Sequence, residues 1–308
     1  MALWNNGKMS NPYRPFVATL AQAMADGARL PRGKLLPATQ PLLPVTAPTA
    51  VVLAPHPDDE CIIGALPLRL RRAGGMRVID IAITLGSDRE RRSARRRELE
   101  GACQFLGFDL VLLGSEGLDR VTPAARTADP AHWNASVDAL AAALDRAQPK
   151  VVFLPHSGDW NGTHVGTHHL GMEALHRLGA KLSCAVVETE YWGAMTGPNL
   201  MVESDAADVG DLCAAAGFHE GEVARNPYHV RLPAWMIDNV RRGGELIGGQ
   251  GATPPSFAFA TLYRLGQWQK GHLGPAASGA PKWLAAADDP QLLFAPPRRT
   301  TTPGLSGR

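Results

Sequence analysis

The sequence lacks the features that mark membrane, secreted and nucleic-acid-binding proteins. No apolar run approaches the roughly 20 residues of a membrane-spanning helix, so we expect no membrane span. The N-terminus has no basic segment followed by an apolar one, as a secretory signal would require. Basic and acidic residues nearly balance, with a formal net charge of +2, which gives no general case for binding nucleic acid. We therefore expect a cytoplasmic protein.

The chain also lacks the spacing patterns of redox-active and dinucleotide-binding proteins. Its cysteines, Cys61, Cys103, Cys184 and Cys213, show no metal-type or redox-pair spacing, and we interpret them as reduced core thiols. No Gly-x-Gly-x-x-Gly motif follows the first predicted strand, and the glycines of 243–251 neither follow a strand nor open a helix. These absences argue against a nicotinamide or flavin cofactor.

Apolar strands alternate with helical segments over much of the chain. With 308 residues, of which 45% are hydrophobic, the protein buries an ample core without disulfides or other staples. The predicted strands cover 51–54, 77–85, 109–113, 151–154 and 185–192. Helices between such strands predict a Rossmann-like α/β/α fold with a doubly wound, mostly parallel sheet.

The length suits one domain with an extension at each end. We place the domain at 49–268, an N-terminal extension at 1–48 and a C-terminal tail at 269–308. The first extension contains a predicted helix over 15–28. In the tail, proline, glycine and alanine dominate, so we expect a mobile or interface-seeking segment. Both extensions offer surfaces for homo-oligomerisation, and the sequence does not decide which role each has.

The stretch 51–60 carries the strongest chemical signal. It reads Val-Val-Leu-Ala-Pro-His-Pro-Asp-Asp-Glu, an apolar strand that ends in one imidazole and three carboxylates. Ligands of open α/β sheets bind outside the carboxyl ends of such strands. His56 and Asp59 are close enough to converge on one ion, and a hydrolytic zinc site has three protein ligands and an open position. Asp58 lies between them and can reach the attacking water as general base.

A structural alternative exists for the two aspartates of this stretch. Acidic residues in the first turn of a helix interact favourably with its macrodipole, by about 0.3–1 kcal/mol each. That alternative does not explain His56. A metal site, by contrast, predicts a third ligand at the end of another strand, and strand 151–154 is followed by a histidine-bearing turn that reads Pro-His-Ser-Gly-Asp-Trp-Asn-Gly-Thr-His.

The two motifs together resemble those of the PIG-L/LmbE-type zinc-dependent de-N-acetylases. The resemblance implies that Zn²⁺, or another divalent transition metal, is bound by His56, Asp59 and His164, and that Asp58 is the general base. His168 shares a helix face with His164 and is a competing ligand, with a buried hydrogen-bonded imidazole as its simpler role. We favour His164, because it lies nearer the strand end and in the family register.

The second motif departs from the family pattern Asp-x-His-x-Asp-His at two positions. Asp159 and His164 match, whereas Asn161 stands where the family commonly has a histidine that stabilises the oxyanion, and Thr163 replaces an aspartate. Asn161 can donate a hydrogen bond but cannot carry a proton. We predict Asn161 as the oxyanion partner and Asp159 as a substrate-binding residue.

An arginine-rich segment over 88–100 overlaps a third family feature, a helix that continues to residue 107. The pattern Arg-x-x-Glu, followed by alanine and Leu-Gly at fixed spacing, is matched here by Arg95, Glu98, Ala102, Leu106 and Gly107. Interleaved glutamates and the absence of aromatics favour a solvated, salt-bridged face over nucleic-acid binding. Arg95 itself lies on the buried face. It either pairs with a carboxylate at the domain edge or reaches the cleft and binds substrate.

The resemblance implies a metal-dependent hydrolase. The expected reaction removes an N-acetyl group from an N-acetylglucosamine-type amino sugar or its conjugate, releasing acetate and a free amine. Two alternatives stay open. One is a metal-dependent phosphoesterase that uses the arginine-rich helix to bind phosphate, and the other is a non-catalytic binding protein on the same fold, for which the changes at Asn161 and Thr163 give a reason.

Overall fold

The computed structural model describes residues 11–37, 39–276 and 282–294. Its strands are β1 (Thr49–Ala54), β2 (Arg77–Ala82), β3 (Asp109–Leu112), β4 (Val151–Pro155), β5 (Cys184–Thr189), β6 (Leu200–Ser204), β7 (Phe259–Gln269), β8 (His272–Pro275) and β9 (Trp283–Leu284). Its α-helices are α1 (Tyr13–Gly27), α2 (Asp59–Ile62), α3 (Ala65–Arg72), α4 (Arg92–Leu106), α5 (Pro123–Ala128), α6 (Pro130–Ala147), α7 (Gly162–Leu178), α8 (Ala206–Ala216), α9 (Glu220–Arg225) and α10 (Leu232–Gly248).

All of these strands belong to one mixed sheet. The order is β3-β2-β1-β4-β5-β7-β6-β9, and β8 pairs with β7. The pairs from β3 to β5 are parallel, whereas β7 runs antiparallel to both β5 and β6. Strands β1, β4 and β5 are almost wholly buried, as continuous apolar runs in a parallel sheet should be. The predicted fold class, a mostly parallel α/β sheet with flanking helices, is confirmed.

Strand order reverses between β1 and β4. From β1 the chain continues to β2 and β3 on one side, and β4 then returns to the other side of β1. Ala50 of β1 lies opposite Val151 of β4, so the two strands end at about the same level. The loops that follow them therefore meet in a crevice at the carboxyl edge of the sheet, the usual ligand site of this architecture.

Helices cover both faces of the sheet with separate apolar clusters. On one face Leu66 of α3, Leu99 of α4 and Leu212 of α8 are fully buried. On the other, Leu140 of α6 and Leu170 of α7 are fully buried. Because both faces are packed, the loops at the strand ends have a rigid support.

Several elements differ from the sequence-based expectations. Helices α5 and α9 and strand β6 are not among the elements that the sequence patterns predict. Helix α10 extends to Gly248, so part of the glycine-rich segment is helical. Gly243 explains why: a Cβ there would lie 2.3 Å from Met201 Cε, so glycine lets the helix pack closely on β6.

The predicted C-terminal tail is partly built into the fold. Strand β8 pairs with β7, β9 pairs with β6, and a 3-10 helix covers Pro290–Leu293. Arg69 Nη2 donates hydrogen bonds to the carbonyls of Ala285 and Asp288, at 2.7 and 2.8 Å, which anchors this segment. A mobile tail is therefore the wrong description of 269–276 and 282–294, and the rest of the predicted tail lies outside the described residues.

The predicted N-terminal helix is present as α1, and it has no buried residue. Its apolar side chains recur at helical spacing on one face and are largely exposed: Tyr13, Phe16, Val17, Leu20 and Met24. An interface role for this extension stays a prediction. No helix of the described residues combines the length and apolarity that crossing a membrane requires.

Candidate metal centre and cleft

The loop after β1 brings Asp58 into a strained backbone conformation. Its φ is +119°, in a region that non-glycine residues rarely adopt and that costs about 1–3 kcal/mol. Two contacts hold the residue there: the Asp58 backbone N–H donates to Glu60 Oε2 at 2.8 Å, and Tyr228 Oη donates to Asp58 Oδ2 at 2.6 Å. Strain of this kind is characteristic of functional sites, where the surrounding structure stabilises it.

His56, Asp59 and His164 meet at the crevice between β1 and β4. His56 Nδ1 lies 3.2 Å from His164 Nε2 and 3.4 Å from Asp59 Oδ2. His164 Nε2 lies 3.3 Å from the same Asp59 oxygen. The structure thus brings the three predicted metal ligands together, although His164 comes from the first turn of α7, more than a hundred residues downstream.

The separations of these three atoms fit a tetrahedral metal ion. Ligand atoms about 2.0–2.2 Å from a tetrahedral zinc ion lie about 3.3–3.6 Å from one another. Two imidazoles and one carboxylate are also the donor set of many hydrolytic zinc sites. The residues present therefore fit a divalent ion.

The charges around the group also suit a cation. Burial disfavours the charged form of His164, but the carboxylates of Asp59 and Asp159 outweigh it and raise its pKa to about 10. Burial likewise opposes ionisation of Asp59, yet His164 and His56 hold its pKa well below the usual range. Without a metal, the site therefore retains positive charge on an imidazole beside an ionised carboxylate.

Asp159 contacts the Nδ1 side of the His164 ring, opposite the nitrogen that faces His56 and Asp59. Its Oδ2 lies 3.4 Å from His164 Nδ1 and accepts hydrogen bonds from the backbone N–H groups of Trp192 and Gly193, each at 3.2 Å. Its Oδ1 accepts from the Asn161 backbone at 2.8 Å. Because these protein groups occupy the buried carboxylate, the geometry favours a positioning role over the predicted substrate-binding role.

Asn161 caps helix α7. Its Oδ1 accepts hydrogen bonds from the backbone N–H groups of Thr163 and His164, at 2.9 and 3.4 Å. Capping fixes the orientation of the amide group. Among the described residues, its Nδ2 makes no hydrogen bond. Asn161 lines a cavity of about 370 Å³, here called the polar cavity, whose walls include His56, Asp58, Arg95, Asn161, Trp192 and Glu222.

Asp58 also lines the polar cavity and carries a perturbed carboxyl. Burial and the neighbouring Asp59 raise the pKa of Asp58 to about 7, while His219 and the hydrogen bond from Tyr228 act in the opposite direction. The sequence analysis does not indicate Tyr228, which lies 170 residues beyond Asp58. No pattern of neighbouring residues in the sequence predicts such a long-range contact.

Arg95 combines both of its predicted placements. Its Nη2 donates to the Pro57 carbonyl at 3.2 Å and lies 3.9 Å from Glu222 Oε1, so it has a carboxylate partner. It also lines the polar cavity, beside His56 and Asp58. Arg91 lies 2.9 Å from the same Glu222 oxygen, and Arg225 pairs with the other oxygen of that carboxylate.

A buried histidine–glutamate pair lies beside the loop that carries Asp58 and Asp59. His219 Nε2 lies 2.7 Å from Glu60 Oε1, and both side chains are fully buried. Cys61 Sγ donates to the same oxygen at 3.1 Å, so Glu60, Cys61 and His219 also form a compact group of possible ligand atoms. The 2.7 Å contact pairs the imidazole with the carboxylate, which favours a structural ion pair. No motif in the sequence indicates His219.

His168 is directed elsewhere. Its Nδ1 lies 2.9 Å from the Pro155 carbonyl and 3.6 Å from Glu188 Oε1, outside the group formed by His56, Asp59 and His164. The cysteines are free, and Cys61, Cys103 and Cys184 are buried, as core thiols would be.

The fold and this group of residues define an α/β protein in which two histidines and one aspartate are placed to bind a metal ion at the crevice of the sheet. Residues 51–175 match the model of the PIG-L family, described as GlcNAc-PI de-N-acetylase. The match includes both motifs that carry the resemblance. The predicted resemblance to this family is therefore confirmed over this region of the chain. Among curated proteins, the comparison found no match.

Solved structures support the same fold at low sequence identity. N,N'-diacetylchitobiose deacetylase from Pyrococcus horikoshii is 15% identical, with a TM-score of 0.51 over 84% of this chain and 94% of that one. The A40926 pseudoaglycone deacetylase is 15% identical, with a TM-score of 0.50 over 71% and 96%. A 4-carboxy-2-hydroxymuconate hydratase from Pseudomonas putida KT2440 is 18% identical, with a TM-score of 0.50 over 71% and 95%. Since a hydratase shares the fold, activity has to be argued from the site.

Proposed function

We propose that this protein is a zinc-dependent deacetylase acting on an N-acetylglucosamine-type amino sugar or its conjugate, with acetate and a free amine as products. The observation that carries the proposal is the convergence of His56, Asp59 and His164 at one point, with Asp58 beside them on the polar cavity. The family match and the deacetylases that share the fold support the same reaction.

His56, Asp59 and His164 would hold the metal ion, with Asp159 fixing the ring of His164. A divalent ion at this place polarises a carbonyl and lowers the pKa of water toward about 7. Zinc is the metal that this donor set fits best, although another divalent transition metal uses the same ligands.

Asp58 is the proposed general base. As a water molecule attacks the acetamide carbon, Asp58 takes its proton, and it returns a proton to the amine nitrogen as the carbon–nitrogen bond breaks. A carboxyl whose pKa lies near neutral pH suits both halves of this task. Tyr228 keeps the carboxylate oriented through its 2.6 Å hydrogen bond.

Asn161 is the proposed donor to the developing oxyanion. Its Oδ1 is held by the helix cap, so the free Nδ2 is fixed before substrate arrives, which is the condition for effective electrostatic stabilisation. Arg95, on the wall of the same cavity, is proposed to bind the hydroxylated part of the substrate.

The phosphoesterase alternative would use the arginines around the polar cavity. Arg91, Arg95 and Arg225 share the single carboxylate of Glu222, which compensates one of their three positive charges. The family match favours amide hydrolysis over this alternative. The remaining partners, a small-molecule amino sugar and a second copy of the chain, stay proposals.

Asp58→Asn tests the proposal together with a metal analysis. We expect the variant to keep the metal content of the wild type and to lose about 10²–10⁴-fold in acetate release from a panel of N-acetylated sugars. Asp145→Asn, on the exposed face of α6, is the matched control and should retain activity. Full activity of Asp58→Asn would exclude it as the base, and phosphate release from esters would favour the alternative.

A further inference from the structure

A second cavity lies beside the reaction centre and has no role in the steps above. It has a volume of about 330 Å³ and is here called the aromatic cavity. Most of its lining residues are apolar or aromatic: Ile62, Tyr191, Trp192, Tyr228, Leu232 and Trp235. Its two polar lining residues, Asn226 and Arg231, are both exposed. A concave apolar site of this kind is built to take an apolar group.

Two of its walls touch the proposed metal-binding and catalytic groups, and a third is shared with the polar cavity. The Tyr191 ring packs edge-on against His164, with ring centroids 4.9 Å apart. Tyr228 donates its hydroxyl to Asp58 at 2.6 Å. Trp192 lines both this cavity and the polar cavity and packs against Tyr228, with centroids 5.8 Å apart. The aromatic cavity therefore begins at the place where the amide bond is cut.

The two cavities differ in chemistry in a way that matches the two halves of an N-acyl amino sugar. The polar cavity adds Ser87 and Asp88 to Arg95 and Glu222, which suits a hydroxylated sugar. The aromatic cavity suits a hydrocarbon. We infer that it receives the acyl chain, and that the preferred substrate carries an N-acyl group longer than acetyl; this rests on the proposed amide hydrolysis.

The aromatic cavity is larger than an acetyl group requires. A methyl group occupies roughly the 30 Å³ of a water molecule in the liquid, about a tenth of the available volume. An acetyl group would leave the aromatic walls without contact partners, whereas a chain of several carbons would cover them. The reaction is unchanged: water adds to the carbonyl carbon, the carbon–nitrogen bond breaks, and a longer carboxylic acid leaves with the free amine.

A chain-length series on one sugar tests the inference. The metal-loaded full-length protein is assayed for glucosamine release from N-acetyl-, N-butanoyl-, N-hexanoyl- and N-octanoyl-glucosamine. Because each buried methylene strengthens binding, kcat/KM is expected to rise about four-fold per methylene up to hexanoyl. Calorimetric binding of N-hexanoyl-glucosamine to the metal-free protein, compared with N-acetylglucosamine, provides a readout that does not depend on turnover.

Two variants of the same helix separate a specific pocket from a general effect. Trp235→Ala removes a wall of the aromatic cavity and should abolish the gain from acetyl to hexanoyl. Ile237→Ala removes an exposed apolar side chain of α10 outside that cavity and should keep the gain.

The outcomes distinguish this inference from the function on which it rests. Hydrolysis of the acetyl sugar with no gain for longer chains, in rate or in binding, overturns the acyl pocket and leaves the deacetylase standing. Absence of hydrolysis for every acyl sugar overturns the deacetylase, and tighter hexanoyl binding would still support the pocket. A gain with aryl glycosides of N-acetylglucosamine but not with acyl length would assign the cavity to the aglycone and overturn our assignment.

Discussion

Asp58 unites a buried carboxylate, a strained backbone and a tyrosine partner from a distant segment. Such a residue cannot be interpreted from its neighbours in sequence alone. The motif indicated His56, Asp58 and Asp59 because their spacing after an apolar strand is informative, and the second motif indicated His164. The role of Tyr228 could not be predicted, because its contact with Asp58 depends on how the chain after β6 returns to the sheet.

Tyr228→Phe tests the link between this tyrosine and Asp58. Loss of the hydrogen bond removes an effect that lowers the pKa of Asp58, so that pKa should rise. Since the base acts in its ionised form, the acid limb of the kcat/KM profile should move to higher pH, by about 1–2 units for a hydrogen bond to a charged group. The measurement is the pH dependence of kcat/KM, with Tyr13→Phe on the exposed helix α1 as control. An unshifted acid limb would separate Tyr228 from the base.

His219 and Glu60 make a second prediction at the scale of single residues. Burial disfavours the charged histidine, but the Glu60 carboxylate outweighs it and raises the pKa of His219. Replacing one partner leaves the other charge buried alone, so His219→Phe should lower the free energy of unfolding by about 3–5 kcal/mol. The double variant with Glu60→Gln should recover part of this loss. Urea unfolding measures both, and a loss below about 1 kcal/mol would mean that the pair is not ionised.

At the scale of elements, the predictable strands were those buried on both faces. Runs such as Val51–Ala54 and Val151–Leu154 are apolar throughout, so their hydrophobic pattern and their residue composition both indicate a buried strand. Strand β6, helix α9 and the end of α10 were missed, because tertiary packing decides them. The glycines of α10 resemble helix breakers in the sequence, yet Gly243 allows the helix to approach β6 and β7.

Helix α7 offers a sharper test of close packing, because it carries His164. A Cβ on Gly166 would lie 2.3 Å from the Val121 carbonyl oxygen, a backbone atom that cannot move aside. Gly166→Ala should therefore destabilise the protein by about 1–3 kcal/mol despite the better helix propensity of alanine. Gly210→Ala, in α8, meets nothing within 4 Å and should stabilise it by about 0.5–1 kcal/mol. Thermal unfolding compares the two, and equal effects would refute the packing argument.

At the scale of the whole molecule, the site is a consequence of strand order. The reversal between β1 and β4 brings two loops together that are a hundred residues apart in sequence, which is why a fold prediction was enough to expect their meeting. The extensions were harder to predict. Low-complexity composition suggested a tail after residue 268, whereas β8, β9 and the anchoring by Arg69 attach part of it to the sheet.

Metal stoichiometry is the measurement that tests the central claim most directly. Elemental analysis after dialysis against Zn²⁺ and removal of free ion should find about one zinc per chain in the wild type, as three converging ligands require. His164→Asn should lose the zinc, whereas His169→Asn, on the same helix but outside the ligand group, should retain it. A wild type without bound zinc, or a His164→Asn variant that keeps it, would contradict the account.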